Sequence, residues 1–193
     1  MALGPALEGA RVALRPVTAA DVGPLYLGWL NDPEINRFLE SRHSESSEDS
    51  VRAFVDRVTA RDGDYLFAIR LAPDGRHIGN VRLGPIRAEH RLAELSLYIG
   101  DRAAWGRGYG GETVALVTRF AFEALHLNKT IGRSYAANEA SIRAFLRAGY
   151  RQEGRLRAHY LLDGKPMDLV VMGCTAGDYR ARASGYQALH TTR

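Results

Sequence analysis

Trp105-Gly106-Arg107-Gly108-Tyr109-Gly110-Gly111-Glu112 is the stretch on which the reading of this chain turns. It follows a strand-like run, residues 91–99, and opens a segment of helical period in which Val114, Val117, Ala121, Ala124 and Leu125 share one face. A glycine-rich backbone thus leads into a helix N-terminus. There, amides without intrahelical acceptors and the positive dipole end favour an anion, and the absence of Cβ atoms lets a phosphate come close. Gly106, Gly108 and Gly111 also match the Gly-x-Gly-x-x-Gly spacing of dinucleotide sites, but the context fails. A Rossmann unit needs a parallel βαβ and an acidic residue ~20 positions further on. Here that region reads Ile131-Gly132-Arg133, and the preceding strands form a meander. No Walker lysine follows the glycines, because Glu112 and Thr113 occupy those positions. What remains is a phosphate-bearing ligand held without lysine or metal.

Working outward, the meander consists of Tyr65–Leu71, a turn at Pro73-Asp74-Gly75, His77–Leu83, a break at Gly84-Pro85, and residues 91–99. Residues 10–15 alternate apolar and polar and predict a strand ending at Pro16. A helix capped by Thr18 or Asp21 should follow, carrying Leu25, Trp29 and Leu30 before the Asn31-Asp32-Pro33 break. After a short connection at 34–43 and the polar cluster 44–50, Val51, Phe54, Val55 and Val58 mark a second helix. Downstream of Gly110 come a strand at 130–135, a helix at 138–148 ended by Gly149, and a hairpin turning at Asp163-Gly164 between 160–162 and 168–172. This order implies a single α/β (α+β) domain over residues 1–175, with a peripheral tail at 176–193.

The bulk numbers restrict function. A chain of 193 residues, 46% hydrophobic and 25% charged, has the make-up of one ordinary globular domain. The balance of 26 basic and 22 acidic residues gives +4, but Lys129 and Lys165 are the only lysines and the arginines form no block. That argues against nucleic acid and suits a small polyanion such as a nucleotide with several phosphates. No apolar run approaches the ~18 residues of a membrane span, and the first twenty residues lack a signal-peptide core, so a cytoplasmic protein without membrane contact is expected. One cysteine, Cys174, and six histidines without H-x-x-x-H spacing imply no metal site.

The strand at 94–99, the loop Trp105–Glu112, and Asn138-Glu139-Ala140-Ser141-Ile142-Arg143 through Ala148-Gly149-Tyr150 together resemble the GNAT family of N-acetyltransferases. The form of the Asn138–Arg143 motif and the Asp-Gly-Lys hairpin ending at Asp168 are similar to its RimJ/RimL-type branch, and the likeness runs from Arg11 to Gly173. It implies a mixed, mostly antiparallel central sheet with helices on both faces and a splayed strand pair that holds acetyl-CoA as co-substrate. The pyrophosphate would lie on backbone amides of Arg107, Gly108, Tyr109, Gly110 and Gly111. Leu97, Tyr98 and Ile99 would splay from 130–135 and pair with the pantetheine amides. Trp105 stands where the family carries Arg or Gln, which leaves the amide cradle intact. Asn138 matches the residue that bonds the pantetheine arm, and it reads equally as a helix N-cap.

Catalysis by such an enzyme needs a neutral amine and a protonated leaving thiol. The resemblance gives Glu94 the part of base, directly or through water. Phe145 occupies the position of the family's usual tyrosine acid, so Ser141, one turn earlier, is the nearest substitute. Trp29, Arg42 and His159 would line the acceptor side. The expected reaction is direct attack of an amine on the thioester, because Cys174 has no activating partner in sequence. Amino sugars and protein N-terminal amines are the candidate acceptors, with the neutral-to-basic lining against polyamines, in a monomer or homodimer. A non-catalytic acyl-CoA sensor is the alternative, suggested by Phe145.

Overall fold

Tyr65–Leu71 and His77–Leu83 are buried along nearly their whole length, and such strands need cover on both faces of a sheet. The computed structural model, which describes residues 4–182, supplies that cover. Its strands are β1 (Leu7–Glu8), β2 (Val12–Pro16), β3 (Tyr65–Leu71), β4 (His77–Leu83), β5 (Leu92–Ile99), β6 (Lys129–Tyr135), β7 (Arg151–Leu162) and β8 (Lys165–Thr175). The helices are α1 (Pro24–Asn31), α2 (Glu48–Thr59), α3 (Tyr109–Arg119) and α4 (Glu139–Arg147). One sheet of eight strands runs in the order β1-β2-β3-β4-β5-β6-β8-β7. Every neighbouring pair is antiparallel except β5 and β6.

Apolar side chains divide between the two faces. Leu95, Val114, Val117, Phe120, Phe145 and Met172 belong to the larger cluster, under α3 and α4. Val17, Tyr26, Leu30, Val51, Val55, Val58 and Leu66 form a second cluster, under α1 and α2. The spacing of the valines in α2, four residues and then three, turns Val51, Val55 and Val58 inward together.

The parallel pair β5–β6 is the irregular part of the sheet. Its register runs Leu92↔Lys129, Ala93↔Thr130, Glu94↔Ile131 and then stops. Beyond that point β5 stays with β4 as far as Ile99↔Gly79, and β6 stays with β8 as far as Tyr135↔Leu169. The two strands therefore part as a fork, in line with the splayed pair implied by the family resemblance.

Three segments differ from the sequence reading. The helix expected from Thr18 or Asp21 begins only at Pro24, whose ring presets φ for a first helical turn, while Thr18 and Asp21 close a separate short turn at Ala19–Asp21. The final hairpin is far longer than expected, with strands of 12 and 11 residues. β7 is an edge strand, exposed at almost every position and interrupted by register shifts at Gln152/Gly154 and Leu156/Tyr160, so no clean alternation marks it in sequence. At the start of the expected tail, residues 176–182 are helical: Tyr179 packs on Phe122 with ring centroids 5.3 Å apart, and Arg182 donates to the Arg147 carbonyl at 2.6 Å. The rest of that tail, 183–193, lies outside the described residues.

Two tests follow from this packing. A Cβ placed on Gly132 of β6 would lie 2.3 Å from Cζ of Phe145, a ring fully enclosed between α4 and the sheet. Gly132→Ala should destabilise the protein by about 1–3 kcal/mol through overpacking, and Phe145→Leu in that background should return part of the loss. Urea denaturation measures both, and an unchanged midpoint for Gly132→Ala would contradict the packing.

The second test concerns His77, whose Nε2 meets the Gly79 carbonyl at 3.0 Å and Asn80 Oδ1 at 2.9 Å. Both partners are acceptors, so Nε2 carries the hydrogen. Burial lowers the His77 pKa, outweighing the bond to Asn80. A histidine depressed in the folded state gives stability that is present above its unfolded pKa of ~6.5 and is lost as pH falls through the folded value. His77→Gln should flatten the decline in urea midpoint below pH ~6.5; parallel curves for the two proteins would assign the decline to other groups.

Candidate active site

At the loop between β5 and α3, Gly106 and Gly108 sit at φ +71° and +82°, in the left-handed region that glycine enters freely, and Gly108 caps α3. The first helical turn is Tyr109, Gly110 and Gly111, and Glu112 N is the first amide to donate back, to the Gly108 carbonyl at 3.2 Å. The amides ahead of it have no intrahelical acceptor. They face an open depression of about 470 Å³ lined by Arg11, Arg107, Arg147, Glu112 and glycines 106, 108 and 111. A Cβ on Gly110 would touch Leu97 Cδ1 at 3.7 Å and Ala144 Cβ at 3.8 Å, so this glycine looks into the space between β5 and α4.

Glu112 holds the loop in place. Its Oε1 accepts from the Arg11 amide at 2.7 Å and the Val12 amide at 3.3 Å, and its Oε2 accepts from Arg11 Nε at 2.8 Å. Arg11 in turn donates from Nη1 to the Arg107 carbonyl at 2.9 Å and lies 5.2 Å from the centre of the Tyr109 ring. Burial pushes the Glu112 carboxyl up, but the Arg11 amide, its guanidinium and the Val12 amide together bring it below the usual carboxylate range. The sequence reading missed Arg11 and Glu112 as a pair. They are 101 positions apart, and no local pattern links them.

Backbone alternation shows what the fork exposes. Gly84 N donates to the Glu94 carbonyl and Gly100 N to the Ile78 carbonyl, both at 2.8 Å, so the even-numbered residues of β5 turn their polar backbone groups toward β4. Leu95, Leu97 and Ile99 turn theirs the other way, where β6 has departed. The Ile99 carbonyl accepts from the Trp105 indole Nε1 at 2.8 Å. Tyr98 projects to the α1/α2 face, where its hydroxyl accepts from Asn80 Nδ2 at 2.9 Å and burial pushes its pKa well up.

On the α4 side, Asn138 Oδ1 accepts from the Ser141 amide at 3.1 Å, which makes Asn138 the helix cap, and its Nδ2 has no hydrogen-bond partner among the described residues. Ser141 Oγ lies 2.8 Å from Ser134 Oγ of β6. Phe145 is 1% exposed and packs edge-on against Tyr150 at 4.9 Å.

The opposite face carries Glu94 at the fork point, 36% exposed, with Arg133 Nη1 3.6 Å from its Oε2. Tyr135 follows on the same face of β6 and stacks on Tyr160 at 4.6 Å. Tyr135 donates its hydroxyl to Glu40 at 2.6 Å. Arg42, 13% exposed, spends its donors on the Leu39 carbonyl, Tyr135 hydroxyl and Leu161 carbonyl, so it ties the 34–43 segment to β6 and β7. His159 is exposed and lies edge-on to Tyr160 at 4.8 Å. Trp29, expected in the acceptor wall, is instead 6% exposed and packed against His77 at 5.0 Å, beneath Gly100. Arg133, Tyr135 and Glu40 were not singled out from sequence, since each is an unremarkable polar or aromatic residue until the fold gathers them.

Among the described residues no helix is long and apolar enough to cross a membrane, and no group of three His, Cys, Asp or Glu side chains is placed to hold a metal ion.

Residues 11–151 match the acetyltransferase (GNAT) domain family. The uncharacterised N-acetyltransferase YoaA of Bacillus subtilis (strain 168) is 28% identical over 170 residues, which is 86% of this chain and 94% of that protein. Among solved structures, a GNAT-family acetyltransferase from Bacillus anthracis superposes with a TM-score of 0.77 at 16% identity, covering 90% of this chain and 99% of the other. The spermidine N-acetyltransferase of Vibrio cholerae, in complex with CoA and spermine, gives 0.79 at 20% identity, covering 88% and 98%. These two likenesses concern the fold. The family match sets aside the alternative of a non-catalytic sensor, and with the glycine-amide cradle and the open edge of β5 it leads to one assignment: the chain belongs to the GNAT acetyltransferase family and is an acetyl-CoA-dependent acyltransferase.

Proposed function

We propose that the protein is a cytoplasmic N-acetyltransferase of the RimJ/RimL-type branch that moves the acetyl group to a primary amine by direct attack in a ternary complex, with an amino sugar or a protein N-terminal amine as acceptor. The observation that carries the reading is the fork itself: β5 and β6 separate at Glu94–Ile131, leaving a strand edge between a glycine-amide cradle and a carboxylate.

The residues suit acetyl-CoA, which supplies the activated acyl thioester. In this reading the amides of Arg107, Gly108, Tyr109, Gly110 and Gly111 hold the pyrophosphate. Leu97 and Ile99 offer backbone groups to the pantetheine arm, flanked by Tyr98, and Asn138 Nδ2 donates to it. Glu94 takes the proton of the attacking amine, directly or through water. Ser141, with Ser134 as its partner, gives a hydrogen bond to the departing sulfur, the service Phe145 has no hydroxyl to perform. Base and donor then act from opposite faces of the sheet, so the amine enters on the α1/α2 face while the thiol leaves on the α4 face. His159 stays an acceptor contact in this reading, and Arg42 orders that wall through Tyr135.

Gly110→Val would push methyl groups into the gap between Leu97 and Ala144. Acetyl-CoA affinity should fall by roughly 10-fold or more in a folded protein, because the pyrophosphate needs close backbone approach. Calorimetry reads it, and an unchanged affinity would reject the cradle.

Glu94→Gln should lower kcat by roughly 10²–10⁴-fold with little change in acetyl-CoA affinity. The deficit should narrow at high pH, where the amine loses its proton unaided. Steady-state thiol release with an amine acceptor across a pH series makes the measurement, and a near-normal rate at all pH values would remove Glu94 from the mechanism.

A further inference from the structure

Arg133 stands beside the carboxylate that the proposed reaction uses. It lies on β6 two residues past the last paired position, Ile131, and strand alternation turns it to the α1/α2 face together with Tyr135. The opposite rows of β6 face α4: Gly132 lies against Phe145 and Ser134 against Ser141. The Arg133 guanidinium is 47% exposed, and its one close partner among the described residues is Glu94, met at 3.6 Å through Nη1 alone. That separation is too long for a hydrogen bond, so the planar fork of donors is left over for something else.

Two other arginines of this wall, Arg42 and Arg37, are already engaged. Arg42 bonds Leu39, Tyr135 and Leu161, and Arg37 pairs with Asp163 at 3.1 Å. Tyr160 completes the surroundings. Its ring stacks on Tyr135, its hydroxyl has no hydrogen-bond partner among the described residues, and Glu40, Arg133 and Glu94 all act on it electrostatically. The approach to the fork therefore presents a carboxylate and a guanidinium side by side, flanked by a stacked aromatic pair of which Tyr160 has no hydroxyl partner among the described residues.

We infer that the acceptor is a primary amine carrying an anionic group, carboxylate or phosphate, within a few bonds of the nitrogen, and that Arg133 is the residue that selects for it. The inference rests on the acetyltransferase reading; among its acceptors it selects an amino sugar phosphate or an N-terminal amine beside an acidic side chain, and it extends them to free amino acids. The ammonium is drawn to Glu94 while the anion takes the bidentate face of Arg133, so the two charges of the ligand meet their opposites a few ångströms apart. A polycation meets Arg133 as a like charge. A neutral amino sugar leaves the guanidinium without a partner, and both lose the charge-assisted bonds that set discrimination.

The test uses matched acceptor pairs differing only in the anion: an α-amino acid against its amide, and an amino sugar phosphate against the free amino sugar, with spermidine as the polycation. Acetyl-CoA binding is measured first by calorimetry on the full chain, and failure there counts against the acetyltransferase reading itself. With acetyl-CoA bound, the kcat/KM ratio of anionic to neutral partner should be about 10 or more for at least one pair. It should collapse toward one in Arg133→Gln and fall below one in Arg133→Glu, with the change in KM rather than kcat. The pair that responds distinguishes carboxylate from phosphate. A ratio near one, a preference for spermidine, or a preference that survives Arg133→Gln overturns the inference. If no acceptor in the panel turns over, the same ratios are read from calorimetric affinities for the CoA-loaded protein, and equal affinities within both pairs overturn it equally.

Discussion

The short parallel pairing between β5 and β6 sets what the rest of the structure does. Three residue pairs hold the two halves of the sheet together, and then the ladder ends while both strands continue. A strand edge inside a protein is normally a liability, because its N–H and C=O groups seek partners. Here the edge at Leu95, Leu97 and Ile99 lies between α3, α4 and the fork, and one of its groups, the Ile99 carbonyl, is met by the Trp105 indole. The departure from the family's Arg or Gln at Trp105 thus has a structural part to play: it satisfies a carbonyl where the strand turns into the glycine loop.

That loop is anchored from far along the chain. The Glu112 carboxylate takes two amides and a guanidinium from the start of β2, and the same guanidinium reaches the Arg107 carbonyl. A negative side chain in the first turn of α3 also suits the helix dipole. The bonds hold the turn at Arg107 and the helix start at Glu112, so the loop is tied in place before any ligand arrives. Such preorganisation limits the ordering cost that binding would otherwise carry.

Most of the fold was legible in the sequence because its signals are local. The bounds of β3 and β4 follow from apolar runs between turn residues, α2 from valines at helical spacing, and the α4 cap from Asn138. The glycine loop was legible for the same reason. What escaped was set by tertiary partners. The length of β7 is invisible because its outer edge is solvated and its register shifts, with Asp168 pinning the irregular stretch through the Ala158 amide and Arg155 Nε. Trp29 sits in the core rather than the cleft because Gly100 leaves room for an indole, a complementarity between residues 71 positions apart by number that no periodicity encodes. Arg133 acquires its setting from Glu94 across the fork and from Tyr160 two strands away.

On the α4 face the hydroxyl donor that the proposed reaction calls for lies one helical turn from Phe145. Along α4 a step of four residues advances ~6 Å, and along β6 a step of two advances ~6.6 Å. The two elements run in opposite directions, so they meet in rungs: Ser141 with Ser134, then Phe145 with Gly132, and beyond the helix end Tyr150 with Thr130 at 2.8 Å. The Thr130 rung lies at the closed end of the fork, where Thr130 still pairs with Ala93. The Phe145 rung lies at the fork point, and only the missing side chain of Gly132 gives the ring its place. The serine rung is the one beside the open part of β6. A hydroxyl at 145 would stand next to the parting strands; with phenylalanine there the side-chain donors on the open side are one rung outward, in a pair where each hydroxyl can orient the other. In the proposed reaction the apolar ring at the fork point keeps that part of the cleft dry, and the serine pair provides the hydrogen bond where the strand edge opens.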